Sequence, residues 1–164
     1  MDAIGFRVSP KGVTYAIVRG PVHGVFTLVH AGAVCVPSAL ETPRQLQFVR
    51  TALLDFIDEH NVSRAGLRLS EATAMRVDPF RLNMEGVVQE LLASSNVERF
   101  VAGRIVTIAA LLGERDRKVV KKLVAGQKPT YLAANWNQLD EKEREAALMA
   151  VAAARSDAAT RPGQ

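Results

Sequence analysis

Hydrophobic and polar positions alternate along the first 37 residues in three short runs. In the run over 3–8 the apolar side chains at even positions share one face, and Gly5 and Arg7 lie on the other. Turn residues, mostly Pro and Gly, separate this run from a second over 13–20 and a third over 24–37. Three consecutive strands with short links predict an antiparallel meander.

A helical period begins after the third run. Thr42 is the expected N-cap and Pro43 lies in the first turn, ahead of an apolar stripe with helical spacing over 44–60. The segment 64–70 is predicted as a short fourth strand. Because a strand–helix–strand step is a crossover, this strand should pair in parallel and make the sheet mixed.

The rest of the chain is mostly helical in pattern. The predicted elements are a helix over 80–95, a fifth strand over 97–103, one or two helices over 104–124, a loop over 125–138 and a closing helix over 139–156. In the loop, Tyr131 and Trp136 either stack on a nucleic-acid base or, as we favour, anchor the loop onto the core. The pattern predicts one α/β domain over 1–157, with a mixed five-stranded sheet flanked by helices, and a frayed tail over 158–164.

The composition is that of an ordinary globular domain. Hydrophobic residues make up 48% of the 164 positions and aromatics only 5%, so the core must be aliphatic. The single Cys35 excludes an internal disulfide, and its apolar neighbours predict a buried thiol. The sequence has neither a signal-peptide pattern nor an apolar run of the roughly 20 residues that a membrane span needs. We therefore expect a cytoplasmic protein with no membrane partner.

Positive charge is concentrated in one part of the chain. The net charge is +4, and the segment 99–128 carries eight basic residues against two acids, Glu114 and Asp116. The basic residues are Arg99, Arg104, Arg115, Arg117, Lys118, Lys121, Lys122 and Lys128. Such a cluster either neutralises nucleic-acid phosphates or is a solvated helix face. No Walker motif, G-x-G-x-x-G loop or metal-binding histidine spacing occurs, so we expect no small-molecule cofactor and no zinc.

The order of the predicted elements and several short segments resemble one protein family. The segment 5–16, GFRVSPKGVTYA, is similar to the opening of RuvC-like Holliday-junction resolvases, a branch of the ribonuclease H-like fold. The segment 66–71, GLRLSE, resembles their fourth strand, and Gly113 and Lys118 match a later glycine and lysine. Glu145 begins a stretch that resembles their alanine-rich last helix. The resemblance implies a ribonuclease H-like sheet.

The same resemblance implies a nuclease that holds two divalent ions on carboxylates, and this sequence departs from it. Arg7 occupies the position of the first acid. On the fourth strand Gly66, Arg68 and Ser70 share the matching face, whereas Glu71 is one residue out of phase. Arginine is a permanent cation that cannot bind Mg²⁺. We therefore expect a degenerate site with neither a catalytic residue nor a metal ligand.

The favoured interpretation is a RuvC-like nucleic-acid-binding protein that has lost metal-dependent cleavage. Its contacts with DNA or RNA, branched forms included, should be sequence-independent and involve the phosphates. The residues predicted to make these contacts are Arg7, Lys11, Arg68, Arg104, Arg115, Arg117, Lys118, Lys121 and Lys122. Alternatively, Arg7 forms an internal ion pair with Glu71 or Glu145, a plug at the former metal site.

Two further functions stay open. A scaffold protein would use the fold to form a homodimer or to dock a partner through the helices over 82–95 or 139–155. A divergent endonuclease would use Glu71, Asp140 and Glu145 as ligands, and only this interpretation requires Mg²⁺ or Mn²⁺ as a cofactor. The sequence therefore leaves enzymatic activity undecided, although we favour its absence.

Overall fold

The computed structural model describes residues 1–71 and 78–156, which form a mixed α/β fold. The strands are β1 (Asp2–Ser9), β2 (Gly12–Arg19), β3 (Phe26–Cys35), β4 (Arg64–Arg68), β5 (Arg99–Gly103) and β6 (Leu132–Ala133). The helices are α1 (Thr42–Glu59), α2 (Pro79–Ser94), α3 (Ile105–Leu112), α4 (Arg117–Val124) and α5 (Glu141–Arg155), with a 3₁₀ turn at Trp136–Gln138. The tail predicted over 158–164 lies outside the described residues.

The sheet has six strands in the order β5-β4-β1-β2-β3-β6. β1, β2 and β3 form the predicted antiparallel meander, and β4 and β5 continue the sheet in parallel beside β1. The prediction of a mixed sheet is therefore confirmed, but the count of five strands is wrong. The sixth strand, β6, pairs in parallel with the start of β3. Two residues are too few to show a period of two, so this strand was hidden in the predicted loop.

Helices cover both faces of the sheet. α1 and α2 pack on one face, and α3, α4 and α5 pack on the other. Every residue of α5 from Ala146 to Ala154 is buried. The idea that the helix over 139–155 docks a partner is therefore wrong for this stretch, because its side chains are already packed inside the domain. Among the described residues, no helix combines the length and apolar character needed to cross a bilayer.

The structure tests three local predictions, on the burial of Cys35, the N-cap of α1 and the role of Trp136. Cys35 is exposed, so the predicted buried thiol is wrong; it follows buried Val34 at the end of β3, and alternation turns it outward. Thr42 is the first residue of α1 rather than its N-cap, a position that Glu41 occupies without a side-chain hydrogen bond. Trp136 is buried and its indole N–H donates to the Leu123 carbonyl at 3.0 Å, which confirms it as an anchor.

Candidate functional site

Two glycines allow α5 to lie directly on the middle of the sheet. Gly5 on β1 and Gly66 on β4 are paired neighbours. A Cβ atom at Gly5 would come within 2.0 Å of the Ala146 carbonyl oxygen, and one at Gly66 within 2.8 Å of Met149. A side chain at either position would therefore push the helix away. The close approach brings the first turns of α5 over the carboxyl ends of β1 and β4.

Three charged side chains meet where β1, β4 and α5 converge. Arg7 and Arg68 are register partners on neighbouring parallel strands, two residues beyond the paired glycines and on the same face. The Glu145 carboxylate accepts a hydrogen bond from Arg7 Nε, and its Oε2 lies 3.8 Å from Arg68 Nε. One carboxylate on α5 therefore lies against two guanidinium groups on the sheet.

Glu71 contacts the same group of side chains from the end of β4. Its Oε1 lies 3.0 Å from Arg68 Nη2 and accepts a hydrogen bond from the backbone N–H of Ile105 at 3.2 Å. Since β4 ends at Arg68, the period of two does not extend to Glu71. The out-of-phase position therefore does not keep Glu71 away from this site.

Two members of the site were missed by the sequence reasoning. Glu85 on α2 is buried, and its carboxylate accepts hydrogen bonds from the Ser70 backbone N–H at 3.0 Å and from the Ser70 hydroxyl. Arg81 Nε lies 3.3 Å from Glu85 Oε1. The sequence contains one signal for Glu85, which directly follows Met84 beside the apolar stripe of α2. A carboxylate at such a position is expected to be buried only if it has a partner. We call the six side chains the arginine–glutamate cluster: Arg7, Arg68, Arg81, Glu71, Glu85 and Glu145.

The formal charges of the arginine–glutamate cluster balance, with three cations and three carboxylates. Burial lowers the pKa of Arg68, the Glu145 carboxylate opposes this effect, and the neighbouring Arg7 charge adds to it. The pKa of Arg81 is also lowered, first by burial and then by the charge of Arg7. Arginine nonetheless stays protonated in proteins, so these side chains are built-in cations. Buried cations of this kind require the carboxylates that surround them.

The groups in this arrangement do not fit a divalent metal ion. Mg²⁺ and Mn²⁺ are held by oxygen ligands, above all carboxylates. Arg7 brings a guanidinium rather than a carboxylate to this group of side chains, and Glu71 and Glu145 already accept hydrogen bonds or contacts from arginine. The third candidate, Asp140, caps α5 by accepting the Glu143 backbone N–H at 2.8 Å. Within the two described ranges, no group of three or more His, Cys, Asp or Glu side chains is arranged to hold a metal ion.

A separate basic surface covers the solvent side of α4. Four exposed cations lie on this helix, and with 3.6 residues per turn they fit within an arc of about 140°. The four are Arg117, Lys118, Lys121 and Lys122. The opposite side of the helix contributes buried Val120 and Leu123 to the core. Within the described part of the chain none of the four cations forms an ion pair, which leaves their charges available.

The remaining predicted phosphate contacts lie elsewhere. Lys11 is exposed in the β1–β2 turn, which follows the carboxyl end of β1, the same end of the sheet as the arginine–glutamate cluster. Arg104 precedes α3 and is exposed, although its Nε donates to the Ser70 carbonyl at 3.0 Å. Arg115 is exposed just before α4. The structure therefore does not gather all nine predicted residues at one site, and Arg7 and Arg68 are paired internally.

Solved structures with the same architecture were found by comparison, whereas no protein-family model and no curated protein matches the chain. Thermus thermophilus RuvC in complex with a Holliday junction substrate has a TM-score of 0.71 at 11% identity, covering 93% of this chain and 91% of that chain. Another structure of Thermus thermophilus RuvC has a TM-score of 0.65 at 13% identity, with 93% and 92% covered. The yeast mitochondrial Holliday junction resolvase Ydc2 has a TM-score of 0.59 at 14% identity, with 93% of this chain and 77% of Ydc2 covered.

These likenesses extend along almost the whole chain, so the fold is RuvC-like and ribonuclease H-like, as the sequence predicted. At such low identity they show the fold alone, and a fold by itself does not assign an activity. The function must be argued from the arginine–glutamate cluster and the basic surface of α4.

Proposed function

We propose that this protein binds nucleic acid through the phosphates, without regard to sequence, and does not cleave it by a metal-dependent reaction. The observation that carries the proposal is the solvent side of α4, where four exposed cations share one arc and have no carboxylate partner in the described chain. Closely spaced free cations neutralise phosphates and release the counterions condensed on them. An ordinary solvated helix face mixes both signs of charge, as the pairing of Arg50 with Glu90 does between α1 and α2.

The second part of the proposal, loss of cleavage, is supported by the arginine–glutamate cluster. Two-metal hydrolysis needs carboxylates that can hold both ions near the scissile phosphate. Here the Glu145 carboxylate lies between Arg7 and Arg68, and the Arg68 side chain is only 4% exposed. Displacing these contacts would leave buried guanidinium groups without partners, and breaking a buried ion pair in this way costs about 3–5 kcal/mol in folding free energy. The guanidinium groups therefore supply the positive charge that metal ions would otherwise bring to this end of the sheet.

The likeness to RuvC bound to a Holliday junction substrate makes a four-way junction the first probe to use. Labelled four-way junction, duplex and single-stranded DNA would be mixed with the protein at two salt concentrations, with Mg²⁺, Mn²⁺ or EDTA. We expect binding that weakens steeply with salt, is unaffected by EDTA and leaves the DNA intact.

Two other results would support different functions. Cleavage that EDTA abolishes would favour a divergent endonuclease that recruits Glu71, Asp140 or Glu145. Salt-insensitive binding, or none, would remove the phosphate mechanism and favour a scaffold or homodimer. The apolar surface available for that role includes Leu82 on α2 and Phe100 on the edge strand β5, which are 48% and 44% exposed.

A further inference from the structure

A pocket of about 550 Å³ lies between the start of β3, β6 and the segment that leads into α5. Leu28, Ala134 and Leu139 form apolar parts of its wall, and Lys128, Asn135 and Gln138 add polar groups. We call it the loop pocket. Its volume is within the range of small-molecule binding sites. Neither the arginine–glutamate cluster nor the four cations of α4 contribute to its lining.

Hydrogen bonds to α4 and α5 hold the segment that lines the loop pocket. Trp136, which lies between the lining residues Asn135 and Gln138 in the sequence, is buried and donates its indole N–H to the Leu123 carbonyl at 3.0 Å. Arg144 on α5 then donates from Nε to the Trp136 carbonyl at 3.1 Å and from Nη1 to the Val124 carbonyl at 3.0 Å. These hydrogen bonds hold the pocket segment against the last turn of α4. The segment that lines the loop pocket is therefore fixed to α4, the helix that carries the basic surface on its solvent side.

The polar groups of the loop pocket are free to bind a ligand. Asn135 and Gln138 are exposed, and within the described residues their side-chain amides make no hydrogen bond. Each amide offers both a donor and an acceptor, as the edge of a nucleobase does. Leu28 and Leu139 provide apolar surface for the faces of a base, and Lys128 provides a cation for the adjoining phosphate.

We propose that the loop pocket receives an unpaired nucleobase from a nucleic-acid strand whose phosphates contact α4. This inference rests on the proposed nucleic-acid binding and adds a preference for strands with an unpaired base. A base inside a continuous duplex is stacked and cannot enter the pocket without an unstacking cost. Bulged DNA therefore binds more tightly than a continuous duplex of the same length and charge.

The test uses the full chain and two duplexes of equal length, one with a single unpaired 2-aminopurine and one fully paired. The residues that line the loop pocket include no aromatic side chain, so entry of the 2-aminopurine removes it from its stacked neighbours and raises its fluorescence. The double variant Asn135→Ala with Gln138→Ala should lose this rise, and the preference for the bulged duplex should fall about tenfold, as expected for two hydrogen bonds. Asn137→Ala is the matched control, because Asn137 is exposed in the same 3₁₀ turn but does not line the pocket.

The possible results separate this inference from the proposed function. Equal affinity for both duplexes with unchanged fluorescence overturns the loop pocket as a base site, while salt-dependent binding of both duplexes keeps phosphate binding intact. A double variant that behaves like Asn137→Ala also overturns the inference. If neither duplex binds, the inference and the proposed function fail together.

Discussion

Arg7 on β1 and Glu145 on α5 form an ion pair that joins positions 138 residues apart in the sequence. The side chains of the pair are only 18% and 16% exposed, and Arg7 is the residue that the sequence resemblance matches to the first acid of a RuvC-like metal site. It ties the first strand to the last helix, beside the close contact of Gly5 with Ala146. A guanidinium group thus occupies a place where the resemblance implies a carboxylate and a metal ion.

Removing Arg7 should destabilise the fold. Arg7→Ala leaves the Glu145 carboxylate with Arg68 Nε at 3.8 Å as its remaining cation, and we expect a loss of about 1–3 kcal/mol in the free energy of unfolding. Urea unfolding at neutral pH measures this loss. Arg19→Ala is the matched control, because Arg19 pairs with Asp2 on the surface and should cost less. Equal losses for the two variants would show that the Arg7 pair has no special structural role.

The paired glycines should tolerate no side chain. Gly5→Ala would bring its Cβ within 2.0 Å of a backbone oxygen of α5, so the helix must move and take Glu145 with it. We expect a loss of more than about 3 kcal/mol in unfolding free energy, or failure to fold. Gly86→Ala in α2 is the control, since nothing lies within 4 Å of its Cβ position and it should instead stabilise the helix by about 0.5–1 kcal/mol. A well-folded, equally stable Gly5→Ala protein would contradict the packing described here.

The sequence predicted the sheet of this protein better than its site. The alternation over 3–8 separates the two faces of β1, because Ile4, Phe6 and Val8 lie in the core beneath α1 and α2 whereas Ala3 lies in the core on the α5 side. The helical stripe after Pro43 is also present in the structure as the buried face of α1. The shared face of Arg7 and Arg68 followed from the same period of two. The partnership of Ser70 with Glu85 could not be predicted, because it depends on how α2 packs against the end of β4 and no local pattern encodes that packing.

The Asp2–Arg19 pair should make the free energy of unfolding depend on pH in the acid range. The hydrogen bond from Arg19 lowers the pKa of Asp2, so the pair stabilises the fold above the usual aspartate pKa of about 3.9. That contribution is lost as pH falls through the lower folded pKa. Arg19→Gln should therefore be less stable than wild type at pH 7 and equal to it at about pH 2, as measured by urea midpoints. Arg44→Gln is the control, because the partner of Arg44 is the neutral Gln47 amide. A difference that persists undiminished in acid would contradict this assignment.

Metal removal should leave the wild-type protein unchanged. Because arginine side chains supply the positive charge of the arginine–glutamate cluster, we expect the thermal midpoint to be the same with Mg²⁺ or EDTA. Arg7→Asp replaces a cation with a carboxylate beside Glu145 and should make the midpoint rise with Mg²⁺. Arg44→Asp makes the same charge change at an exposed position and should show no such rise. A midpoint of the wild type that increases with Mg²⁺ would show that its own carboxylates bind the ion.

Removing cations from α4 should weaken nucleic-acid binding in proportion to the phosphates they neutralise. Lys121→Ala should reduce the affinity for four-way junction and duplex DNA alike, and should lower the slope of log affinity against log salt by about 0.9 if Lys121 contacts one phosphate of duplex DNA. Lys142→Ala is the matched control, since Lys142 is an exposed lysine on α5 and gives the same change in net charge. Titrations at four or more salt concentrations measure both slopes. If the two variants have equal slopes, binding depends on net charge alone and α4 is not the phosphate-binding surface.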